Sequence, residues 1–131
     1  MVFVYLLENH PVFANLATAV LIPIEQGAAT GVTSALTLAE LLTGPVQAAN
    51  LTALRDYELY LTNFPHLTLH ACDADVARQV ALVRAATGLR TPDAIRIATA
   101  ALAGATLIVG NDKAWQGKTG SLALLLLNEF V

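Results

Sequence analysis

Four short apolar runs of strand type, Gly31–Leu36, His66–His70, Thr106–Val109 and Leu122–Leu127, are separated mainly by segments whose apolar residues recur at helical spacing. Strands that alternate with helices need crossover connections, and crossovers produce a parallel sheet with helices on both faces. The run TLIV at Thr106–Val109 is apolar throughout, as a strand covered on both sides should be. With 131 residues the chain has the length of one domain and enough material for one substantial core.

Local signals set the expected element order. Pro11 to Gln26 places Val12, Leu16, Val20 and Ile24 on one helix face and ends at Gly27. The run after Gly31 passes into LAELLTG, a short helix expected to close at Gly44-Pro45. A helix is expected over Val46–Asn63, and another from Asp73, which can cap it, to Thr87 before Gly88. Thr91-Pro92-Asp93 opens a helix to about Ala103, with Thr91 as the cap and Pro92 at the first helical position. Asp93 then lies at the positive end of that helix.

Composition narrows the classes. Hydrophobic residues make up 56% and charged residues 13%, which excludes a disordered chain and favours a covered apolar face, hence an oligomer. The net charge of −3 supplies no overall basic field, so any nucleic-acid contact must be local. Cys72 is the only cysteine, which rules out an internal disulfide and fits a cytoplasmic address. The opening MVFVYLLENH lacks a signal pattern, and the apolar stretch Ile95–Val109 is interrupted by Gly104, so no membrane segment is expected.

In open parallel sheets functional groups collect beyond the carboxyl ends of the strands. Glu40, Asp112 and Asp93 fall there: the first two follow the Gly31 and Thr106 strands, and Asp93 starts the helix before the latter. Grouped carboxylates repel one another, so a fold that gathers them normally supplies a cation, and hard oxygen ligands select Mg²⁺ or Mn²⁺. Metal-assisted phosphodiester hydrolysis is the chemistry suggested. Taken singly, Asp93 reads as a helix-dipole acid, Glu40 as a solvated helix residue and Asp112 as a turn residue; only their joint placement favours a site.

These residues resemble the PIN-domain ribonucleases, in particular the toxins of VapBC-type toxin–antitoxin pairs, over nearly the whole chain. VTSALTLAELLTG carries the family's helix glutamate at Glu40, LRTPDAIRIATAL its aspartate at Asp93, and LIVGNDKAW its last acid at Asp112. The resemblance implies a three-layer α/β/α sandwich with a central, mostly parallel sheet. It also implies Mg²⁺-dependent cleavage of RNA, a homodimer, and inhibition by a small antitoxin protein. The family pattern begins with a central strand ending in Asp-Thr-Asn, whose aspartate is a fourth ligand; Met1 stands at the Asn position, so that strand is expected upstream and Val2–Leu7 is expected to be helical. A rival alignment makes Met1–Leu7 the strand and Glu8 its acid.

Around the acids, Ser34 could bond a ligand carboxylate or satisfy backbone, and Asn111 could orient Asp112, touch phosphate or serve the turn. Arg90 and Lys113 flank two acids and are candidate phosphate contacts beside a plain reading as solvated charge. Arg96, three residues after Asp93, can pair with it or clamp a phosphate. Trp115 is expected to pack the segment after Asp112 onto the sheet, and His10, His66 and His70 lack zinc-site spacing. Two other classes compete: a degenerate PIN-like domain that binds protein or RNA without cleaving, and a phosphoacceptor receiver, which has no place for TPDAI.

Overall fold

The computed structural model describes all residues, Met1–Val131. In chain order its elements are α1 (Val2–Leu7), α2 (Ala14–Glu25), β1 (Gly31–Ser34), α3 (Leu36–Gln47), α4 (Leu51–Thr62) and β2 (Leu67–His70). Then come α5 (Ala74–Thr87), α6 (Thr91–Leu102), β3 (Leu107–Gly110) and β4 (Ala123–Leu126), with 3₁₀ turns at Lys113–Trp115 and Leu127–Phe130. The fold is α/β and every strand pairing is parallel, as the alternation of elements requires. β1 pairs with β2 from Gly31↔Leu67 to Ser34↔His70, and β3 with β4 from Leu107↔Ala123 to Gly110↔Leu126.

The four strands form two separate two-stranded parallel ladders. α6 spans them, packing against both β1 and β3. The apolar interior divides accordingly: Phe3, Leu21, Leu41, Leu61 and Phe64 gather beside the first ladder, and Leu89, Ile97, Ile108, Trp115 and Leu122 beside the second. A third group, Val76, Val80, Ala94 and Ala98, joins α5 to α6. Ala94 and Ala98 are fully buried one helical turn apart, and their small side chains let the two helices approach closely.

Val2–Leu7 is helical, so the alignment that makes this segment a strand is overturned. Glu8 caps the end of α1 and lies beside Gly44 on α3, and it forms no three-ligand group with Glu40 and Asp93. Phe3 anchors α1 by an edge-to-face contact with Phe64, ring centroids 5.5 Å apart.

Helix boundaries differ where competing local chemistry wins. α3 runs through Gly44-Pro45 to Gln47, because a proline late in a helix removes one hydrogen bond and Pro45 is buried against the core. The helix expected from Val46 starts at Leu51: Ala49 adopts a left-handed conformation (φ 52°), and Asn50 caps α4 by accepting from Ala53 N at 3.0 Å. Arg90, not Thr91, occupies the cap position of α6, which puts Pro92 second, where its missing N–H is still harmless. Asp73 and Gly88 bound α5 as expected, the first accepting from Val76 N and the second at φ 71°.

Gly110 ends β3 flat against the Trp115 ring. A Cβ there would stand 2.9 Å from Trp115 Cε3, and the indole, 1% exposed, has no room to withdraw. Gly110→Ala should therefore lower stability by about 1–3 kcal/mol, the usual cost of overpacking. Gly31→Ala should cost less, since its Cβ meets the movable ends of Leu67 and Ile24. Urea unfolding of both variants tests the contrast, and equal losses would refute it.

Candidate active site

β1 delivers Glu40 through a connection of one residue. Ser34 is buried, and its Oγ accepts from Leu36 N at 3.1 Å, which turns the chain from strand into α3. The same hydroxyl lies 3.3 Å from Cys72 Sγ, and Thr33 and Thr37 share a hydroxyl bond of 2.7 Å. Ala35 N donates to His70 O, extending the β1–β2 ladder into the helix start. Glu40 sits on the second turn of α3, partly buried.

Asp93 is buried in the first turn of α6, where unpaired backbone N–H groups favour a negative side chain. Arg96, one turn further along α6, brings the two acids together. Its Nη2 lies 2.5 Å from Glu40 Oε1 and its Nη1 lies 3.5 Å from Asp93 Oδ1. The second oxygen of Asp93 faces Arg90 Nη2 at 3.8 Å, but the Arg90 side chain is 84% exposed. Glu40 Oε1 is buried and receives no hydrogen bond of acceptable direction, so its contact with Arg96 is one of charge without alignment. The Met1 amino group lies in the same field: burial holds its pKa below the ordinary value, Glu40 opposes that shift and Arg96 adds to it.

Asp112 follows β3 and is engaged elsewhere. Its Oδ1 accepts from Ala114 N at 2.8 Å and caps the 3₁₀ turn at Lys113–Trp115. No three Asp, Glu, His or Cys side chains converge closely enough to hold a metal ion, so Glu40 and Asp93 form a pair that Asp112 does not join. Within the pair the donors suit a hard divalent cation: both are carboxylates, and Glu40 Oε1 is a buried acceptor without a directional partner.

The neighbouring polar residues divide by role. Asn111 is a brace, with Nδ2 donating to Tyr5 Oη at 3.1 Å and Oδ1 accepting from Asn128 N at 2.9 Å, so it ties the exit of β3 to α1 and to the C-terminal turn. Lys113 is exposed and Trp115 is buried. His66 bonds Ile24 O from an exposed position, and His70 bonds Ala71 O. Sequence spacing offers Arg96 as a partner of Asp93 alone. Its bridge to Glu40 joins α3 to α6, and no periodicity within one helix signals that.

The family model of the PIN domain matches residues 1–119. The chain belongs to the PIN domain family. Among solved structures it is similar to VapBC2 from Rickettsia felis, whose crystal structure was determined bound to a DNA fragment from their promoter. The TM-score is 0.72 at 18% identity, with 95% of this chain and 92% of that chain covered. This likeness speaks to the fold, and it closes the question of a receiver domain. No curated protein matches the sequence.

Proposed function

We propose that this protein is a metal-dependent endoribonuclease, the toxin of a toxin–antitoxin pair, acting in the cytoplasm as a homodimer held in check by a small antitoxin. The observation that carries the proposal is the meeting of Glu40 and Asp93, from separate helices, around one cationic group in a chain of the PIN domain family. Membership of that family supports a nuclease. The fold shared with VapBC2, a toxin–antitoxin complex, supports the antitoxin partner. No helix is long and apolar enough to cross a membrane.

Glu40, Asp93 and Asp112 would hold Mg²⁺ or Mn²⁺, which supplies an activated water and neutralises charge that develops on phosphate. Asp112 would reach the pair by releasing Ala114 N. Arg90 and Lys113, both exposed beside the acids, would meet the phosphates of a bound RNA strand. Ser34 and Asn111 support the site from beneath: the Ser34 hydroxyl holds the start of α3, and Asn111 holds the segment that carries Asp112.

The absence of a third converging acid favours one alternative, a degenerate domain that binds protein or RNA without cutting. Incubation of single-stranded RNA with the purified chain, first with a chelator and then with added Mg²⁺ or Mn²⁺, separates the two. Cleavage that starts only with metal is expected. RNA left intact under every condition would instead support the binding module.

A further inference from the structure

We propose that the Arg96 guanidinium is a resident cation that neutralises Glu40 and Asp93 in the metal-free protein and must withdraw before a divalent ion can enter, so that it sets the threshold for metal loading. The inference rests on the metal-dependent reading above. Two partly or wholly buried carboxylates gathered at one place require a counter-charge. Arg96 provides it by pointing different nitrogens of one planar group at acids on two elements.

Arg96 is suited to leave. Its contact with Glu40 Oε1 lacks hydrogen-bond direction, and a spherical ion, which needs no direction, can take its place at that oxygen. The Arg96 side chain is 19% exposed, so a path to water exists, and its long stem can swing out while α6 stays fixed. The Met1 amino group also feels Glu40, but no other side chain can take over the role of Arg96 there, because Arg90 reaches only the far oxygen of Asp93 and lies mostly in water. The opposite role is a permanent bolt between α3 and α6. In that case removing the guanidinium would let the acids separate and would weaken metal binding.

Titration calorimetry with Mn²⁺ on the full chain and on Arg96→Gln, with thermal melting in parallel, distinguishes the two roles. The variant should bind Mn²⁺ about fivefold more tightly, because the ion no longer displaces a contact worth about 1 kcal/mol. It should melt below the wild type without metal and recover most of the difference once Mn²⁺ is bound. Equal or weaker binding by Arg96→Gln overturns the inference. Should that variant not fold, Arg96→Lys serves: its shorter side chain lacks the planar fork that points separate nitrogens at the two acids and holds them less well, so tighter binding than wild type is again expected and equal or weaker binding overturns it. Absence of Mn²⁺ binding in all forms defeats both the inference and the metal-dependent reading. Mn²⁺ binding without RNA cleavage defeats the ribonuclease alone and leaves the role of Arg96 to the affinity comparison.

Discussion

Asp93→Asn is expected to reduce metal-dependent RNA cleavage by at least about 100-fold, since even residues one shell removed from a metal commonly cost 10–100-fold. Such a loss corresponds to about 2.7 kcal/mol of transition-state stabilisation. Stability should change much less. The variant loses a first-turn acid, worth about 0.3–1 kcal/mol at a helix N-terminus, and one of the two contacts of Arg96, while the pair between Arg96 and Glu40 remains. Asp75→Asn is the matched control, because Asp75 also opens a helix and pairs with an arginine three residues on, but with its side chain 73% exposed. Cleavage measured under saturating Mg²⁺, with unfolding midpoints of both variants, makes the comparison. If Asp93→Asn cleaves within threefold of the control, the assignment of Asp93 fails.

The contrast between these two aspartates marks how far the sequence could be read. Asp73, Asp75 and Asp93 all look like helix-start acids in the one-dimensional pattern, and Asp73 is one, accepting from Val76 N. Asp93 differs through what lies across from it. The strand runs and the bounds of α5 were legible because each follows from local chemistry: short apolar runs bounded by turn residues, a capping aspartate, a glycine at positive φ. The break between α3 and α4 was not, since Ala49 at φ 52° carries no signal and Pro45 continues a helix that a proline usually ends. Long-range pairs were the least accessible. The bond between Tyr5 and Asn111 joins residues 106 apart, and the bridge from Arg96 to Glu40 depends on α3 and α6 both packing on β1. The division into two ladders also escapes sequence periodicity, which specifies strands and not the neighbours they choose.

Trp115→Ala should be the most destabilising single change near the site, by about 3–5 kcal/mol, a large part of the 5–15 kcal/mol typical of a domain. The indole is 1% exposed, packs with Leu89, Ile97, Ile108 and Leu122, and closes over Gly110, so its removal leaves a void that backbone on one side cannot fill. The damage should reach the chemistry. Trp115 ends the 3₁₀ turn capped by Asp112, so a loosened turn frees that carboxylate from Ala114 N and spreads its position. Trp115→Phe separates packing from polarity. Trp115 Nε1 is a buried donor without a partner, and an orphaned donor of this kind costs about 1–3 kcal/mol, so the phenyl ring loses contact area but removes that penalty. The phenylalanine variant is therefore expected to unfold at a urea concentration much nearer the wild type than the alanine variant. If the two variants are equally destabilised, Trp115 is not acting by filling the space over Gly110.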